Sequence, residues 1–124
     1  MKDKFEELYF FMKKNHELSE WVQNLSLKDS IQELKGEIDE MSVELDKNDF
    51  DKFRVELGDV FWDLLGVIVK AENEGHLNVK EFLNEIHEKY KQRKPFLLEN
   101  KSVGIKEEWR IWEEVKKKER TRKD

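Results

Sequence analysis

The side chains best suited to chemistry in this sequence are acidic. Glu33, Glu37, Glu40 and Glu44 recur at i, i+4, i+7 and i+11. On a helix that spacing confines them to about 60° of the circumference. Glu56, Asp59 and Asp63 follow at i, i+3 and i+7, again on one side. Like charges one turn apart destabilise a helix by about 0.2–0.5 kcal/mol per pair. Two such rows brought together beside apolar residues cost more unless cations neutralise them. Hard oxygen ligands, with no Cys and no His pair at ligand spacing, point to Mg²⁺ or Mn²⁺. A solvated acidic surface is the competing reading, because 29 of the 124 residues are acidic. Against it, Glu56 and Asp59 sit inside an otherwise apolar segment, where acids are expensive without a purpose.

The elements that must position these acids are helices, because the apolar spacing is helical nearly throughout. Phe5, Leu8, Tyr9 and Met12 open a first amphipathic segment, continued by Leu18, Trp21, Val22 and Leu25. Asp3 with Glu6 reads as its N-terminal cap, and Asn15-His16 as an interruption. A second helix starts at Ser26, with Asp29 in capping-box position, and carries Ile31, Leu34, Ile38, Met41 and Leu45. Lys47-Asn48-Asp49 is a short connection, so the next helix must pack antiparallel and bring the acidic faces together. That third helix runs from near Asp49 to about Glu74, with Gly75 just beyond its end. Its apolar residues, Val60 to Val69, occupy most of the circumference and predict burial on several sides. Asn78 with Glu81 opens a fourth helix, bearing Phe82, Leu83, Ile86 and Tyr90, which ends before Pro95. Residues 96–104 read as loop, and a last helix carries Trp109, Trp112 and Val115. The expected architecture is an all-α antiparallel bundle of four to five helices in a single domain, 1–124. Residues 26–93 form its core bundle, 105–120 a C-terminal helix and 121–124 a basic tail.

Composition narrows the function classes. Charged residues make up 43% of the chain, yet 8 Phe, 4 Trp and 2 Tyr supply bulky groups for a core, which argues against disorder. Five Gly and one Pro are too few for the many turns of a β-sandwich or barrel. The absence of Cys excludes thiolate metal sites and a Cys nucleophile. No apolar run is long enough to span a membrane, and the N-terminus lacks the apolar block of a signal peptide, so a cytoplasmic protein is expected. Net charge is −5, but residues 116–124 carry +4, which leaves −9 on residues 1–115. An acidic body disfavours nonspecific nucleic-acid binding, and the basic end reads as a solvated helix terminus.

Gly36-Glu37-Ile38-Asp39-Glu40, then fifteen residues, then Glu56-Leu57-Gly58-Asp59, resembles the EExxE–spacer–ExxD signature of the all-α nucleoside triphosphate pyrophosphohydrolases of the MazG superfamily. Val60-Phe61-Trp62-Asp63-Leu64-Leu65 makes the match more specific than either acidic element alone. Lys89 to Pro95 is similar to the basic helix end of the family, and Trp112 to Arg120 to its terminal W-E-x-x-K-x-x-E-K element. The resemblance covers about residues 26–120. Gly36 departs from the strict motif, which has Glu there. The dCTP pyrophosphatase-like branch carries Gly, so Gly36 blurs the branch and the substrate rather than the metal site.

The resemblance implies hydrolysis of nucleoside triphosphates to the monophosphate and pyrophosphate, with Glu37, Glu40, Glu56 and Asp59 as the catalytic metal ligands. Four carboxylates suit about two hard cations. Glu33 and Asp63, each one turn from a ligand, are supporting candidates. Lys89 and Arg93, at i and i+4, suit triphosphate oxygens, as a point charge and a planar fork. Lys52, one turn before Glu56, is a further phosphate contact that the resemblance suggests, and Trp112 a stacking surface for the base. Trp109 reads as packing and Trp62 as core, with a base pocket as the alternative for Trp62. The three His default to surface or packing roles. The family also implies a homodimer or dimer of dimers. Two other readings compete: a narrower dCTP/dUTP pyrophosphatase or phosphoribosyl-ATP pyrophosphohydrolase, and a noncatalytic helical adaptor.

Overall fold

The computed structural model describes residues 1–123 and is all-helical among them, with six α-helices and one 3-10 turn. The chain divides into two compact units that meet at residues 79 and 80. The first holds α1 (Lys2–Leu18), α2 (Glu20–Gln23), α3 (Leu27–Asp46) and α4 (Phe50–Asn73). The second holds α5 (Val79–Arg93) from residue 80 onward, the turn Pro95–Leu97 and α6 (Ile105–Lys123). No helix among the described residues is long and apolar enough to cross a membrane. Of the basic tail at 121–124, Asp124 lies outside the described residues, as do the side chains of Arg122 and Lys123.

The hairpin that carries the acids is built by local chemistry. Ser26 and Asp29 close a reciprocal capping box at the start of α3. Asp29 N–H donates to Ser26 Oγ at 3.0 Å, and Ser26 N–H donates to Asp29 Oδ2 at 3.1 Å. Asp49 caps α4 by accepting Lys52 N–H at 3.1 Å. Between the helices Asn48 takes φ +57°, a left-handed conformation that Asn tolerates better than most residues. Asp49 N–H bonds Glu44 O at 3.1 Å and Asn48 N–H bonds Leu45 O at 2.9 Å, so the chain reverses within three residues. Gly75, at φ +83°, ends the α4 segment in the left-handed form that favours glycine.

Helix α1 lies against α4. Met12 is its fully buried anchor and packs over the Gly66 position of α4, where a Cβ would lie in ordinary contact with Met12 Cε at 3.6 Å. Phe5 meets Phe61 and Phe11 meets Trp62, each pair with ring centroids 6.0 Å apart. Tyr9 O–H donates to Glu72, which also accepts Val79 N–H at 2.8 Å and pairs with Lys13 at 3.5 Å. Lys70, itself buried on α4, donates from Nζ to Val22 O at 3.2 Å and ties the α2 corner down. In the second unit Arg93 binds Glu119 at 2.8 Å and Lys94 binds Glu108 at 3.2 Å, joining the α5 end to α6.

Several expectations need correction. Helix α1 is capped at Met1, so Asp3 lies in its first turn rather than at the cap. Asn15-His16 does not interrupt it. His16 is buried with Nδ1 3.0 Å from Met12 O, inside the helix, and the break falls at Ser19, whose Oγ caps α2. The loop after α5 contains the 3-10 turn at Pro95. Helix α4 is not enclosed: only Val69 and Lys70 are buried, while Leu57, Phe61 and Leu64 remain exposed. Trp109 is 61% exposed, so it is not a core residue.

Candidate metal and active site

Antiparallel packing of α3 on α4 brings the two acidic rows together. Glu33 feels the charge of Asp63, Glu37 feels Asp59 and Asp63, and Glu44 acts on Glu56. Later positions on α3 thus face earlier positions on α4. Glu37, Glu56 and Asp59 each offer a carboxylate oxygen, and these three atoms lie within 4.8 Å of one another. Glu40 is exposed and stands outside that trio, but it acts on both Glu37 and Glu56 by charge and hydrogen bonding. All four residues singled out from the motif are therefore neighbours.

The electrostatics of the cluster are unfavourable without a counter-charge. Burial, then the charges of Glu40, Asp63 and Asp59, pushes the Glu37 carboxyl up to about 7. Glu56 is raised by burial and by Glu40, Asp59 and Glu44. Glu33 rises by burial and Asp63, and Asp63 by burial and Asp59. Glu37 Oε2, Glu44 Oε2 and Glu56 Oε2 are shielded from solvent and have no hydrogen-bond partner. Buried carboxylate oxygens without donors are costly. Cations coordinated by oxygen would satisfy them, so the donor set fits a hard divalent ion.

A small cleft of about 80 Å³ adjoins Glu33 and Asp63. Trp21, Trp62, Met12 and Asn15 line it, with Ser30 at its α3 edge. Trp62 is accordingly half-buried, packed on Phe11 and facing the cleft, rather than wholly within the core. Trp21 had no signal beyond its place in the apolar stripe of the first segment.

The remaining expected contacts fall as follows. Lys52 is exposed, with Nζ 4.0 Å from Asp49 Oδ2. Lys89 is exposed on α5. Arg93 is held by Glu119, which raises its pKa, and its guanidinium lies 4.8 Å from the centroid of the Trp112 ring and 5.7 Å from that of Tyr90. Tyr90 and Trp112 are themselves 6.1 Å apart, so the second unit carries an aromatic platform with an arginine over it.

Residues 25–98, more than half of the chain, match the MazG nucleotide pyrophosphohydrolase domain. A solved structure titled "Crystal structure of mazG-related protein from Thermotoga maritima" superposes with a TM-score of 0.86 at 27% sequence identity, covering 90% of this chain and 98% of that one. No curated protein matches. The chain therefore belongs to the MazG nucleotide pyrophosphohydrolase family, a conclusion that the paired acidic rows support independently.

Proposed function

We propose that this protein hydrolyses nucleoside triphosphates to the monophosphate and pyrophosphate, in the upkeep of the nucleotide pool in the cytoplasm. The observation that carries the reading is the shielded, unpartnered carboxylate oxygens of Glu37 and Glu56 in a cluster that includes Asp59. Glu37, Glu40, Glu56 and Asp59 would hold Mg²⁺, with Mn²⁺ as a substitute. A bound divalent cation supplies charge neutralisation for the triphosphate and a more reactive water. A carboxylate of the set with an oxygen free of the ions would take the proton from the attacking water. Glu33 and Asp63 support that set and border the cleft, whose Trp21 and Trp62 faces suit a flat base. Lys52, Lys89 and Arg93 are proposed phosphate contacts, and Trp112 a proposed base contact. For Arg93 that requires exchange of Glu119 for a phosphate oxygen, two acceptors of the same kind.

We also propose that the active form is a homodimer or a dimer of dimers. Ile31, Ile38 and Leu45 form an exposed stripe at seven-residue spacing on α3, and Leu57, Phe61 and Leu64 another on α4. Apolar stripes of this kind mark an interface, and a second copy brings matching ones. The test of function is pyrophosphate release from a nucleotide panel, with Mg²⁺ and then with EDTA. Turnover that requires the metal is expected. Turnover of dCTP or dUTP alone would select a narrow branch, and no turnover of any nucleotide would point to an adaptor instead.

A further inference from the structure

The Arg93–Glu119 pair belongs to the aromatic platform of the second unit, and both of its ends are sheltered. Arg93 donates from Nη2 to Glu119 Oε2 at 2.8 Å and from Nε to Glu119 Oε1 at 3.4 Å, a two-point grip on one edge of the guanidinium. The arginine side chain is 12% exposed and the glutamate 27%. The ring centroids of Trp112 and Tyr90 lie 4.8 Å and 5.7 Å from the guanidinium carbon. A guanidinium packed on rings meets anions at its edges, and a phosphate takes an arginine through the same two-point geometry that Glu119 uses. A sheltered cation is costly without an anion, and one edge holds one anion at a time. Carboxylate and phosphate therefore exclude each other there. Exchange leaves Glu119 a second partner, since Lys116 lies three residues before it on α6, at i,i+3 spacing.

We infer that Glu119 is an internal competitor of the substrate's phosphates: a carboxylate that occupies the phosphate edge of Arg93 in the empty protein and leaves it when a triphosphate binds. This rests on the phosphate role proposed for Arg93 and adds a residue that sets the affinity of that contact. The same bond joins the end of α5 to α6, so a phosphate on Arg93 also releases that tie, while Lys94 and Glu108, 3.2 Å apart, still hold the two helices. A fixed support that only aims Arg93 would give the opposite sign: its removal would weaken phosphate binding, whereas removal of a competitor strengthens it.

The experiment is isothermal titration calorimetry of the full chain with inorganic tripolyphosphate in Mg²⁺. It compares the wild type, Glu119→Gln, Glu119→Ala, Arg93→Ala and the double variant Arg93→Ala with Glu119→Gln. Glutamine keeps the shape and can still accept one N–H of Arg93, so a folded variant is expected; far-ultraviolet circular dichroism checks this, and Glu119→Ala serves as the second variant. Both Glu119 variants should bind tripolyphosphate about 10-fold more tightly than the wild type, because a charge-assisted bond no longer has to be broken. Arg93→Ala should bind more weakly, and the double variant no more tightly than Arg93→Ala, since the competitor then has nothing to occupy. Unchanged or weaker binding in both Glu119 variants, with Arg93→Ala weakened, would overturn the competitor and leave the phosphate role of Arg93 intact. Wild-type affinity in Arg93→Ala, or a wild type that binds no tripolyphosphate, would overturn both.

Discussion

Replacing Glu37 with glutamine separates the cost of the acidic cluster from its use. Burial and three neighbouring acids move the Glu37 carboxyl from 4.5 to about 7 in the folded protein. The fold thus favours the protonated form, and the metal-free protein binds more protons folded than unfolded between those values. The resulting stability is present in full below about pH 4.5 and is lost as pH rises through about 7. At about 1.4 kcal/mol for each tenfold change in proton affinity, the upper bound is about 3 kcal/mol. Glu37 is only half-buried, and solvent screening reduces this to about 1–2 kcal/mol. Glutamine removes the charge and keeps the volume. In EDTA at pH 8, Glu37→Gln should therefore melt about 4–8 °C above the wild type, given the usual conversion for a chain of this size. At pH 5, where Glu37 is already protonated in the fold, the difference should nearly vanish. Adding Mg²⁺ should reverse the order at pH 8. A ligand at a hundred times its dissociation constant stabilises by about 2.7 kcal/mol, and the variant should gain much less than that. Differential scanning calorimetry at the two pH values, with and without metal, measures all of this. A variant that is no more stable than the wild type in EDTA at pH 8 would show that Glu37 carries no electrostatic penalty in the fold, and one that gains as much from Mg²⁺ would show that Glu37 does not hold the ion.

Asp59→Asn should lower pyrophosphate release by more than about a hundredfold while circular dichroism stays helical, since it deletes the charge of a proposed ligand on the surface of α4 rather than a core contact; turnover at the wild-type rate would remove Asp59 from the site. Lys70→Met should cost about 0.5–1.5 kcal/mol in chemical denaturation, because the Nζ–Val22 O bond is lost while Val22 O keeps the Leu25 N–H at 3.1 Å. It should also raise KM more than it lowers kcat, since Val22 and Trp21 border the cleft beside Glu33 and Asp63; equal KM in variant and wild type would show that the α2 corner plays no part in binding. Lys89→Ala should weaken triphosphate binding with little change in thermal stability, as Lys89 is exposed; unchanged KM and kcat would exclude it from the phosphate contacts.

Much of this geometry could be read from local chemistry. The capping box at Ser26 and Asp29, the Asp49 cap and the left-handed Gly75 are written in residues a few positions apart, and they fix where α3 and α4 begin and end. The short connection then fixes their antiparallel packing, and with it the meeting of Glu37 with Glu56 and Asp59. What escaped the sequence depends on distant contacts. Nothing local distinguishes Asn15-His16 as helix interior; His16 is buried, with Nδ1 3.0 Å from Met12 O one turn back. The capture of Arg93 by Glu119 joins residues 26 positions apart. The exposure of Leu57, Phe61 and Leu64 likewise cannot be told from burial by composition, since an apolar stripe looks the same whether its partner is in the chain or in another copy.

The most direct measurement of the central idea is anomalous scattering from a crystal soaked in Mn²⁺. A peak is expected among the carboxylates of Glu37, Glu56 and Asp59. A well-ordered map with those side chains turned to solvent and no manganese between α3 and α4 would contradict it.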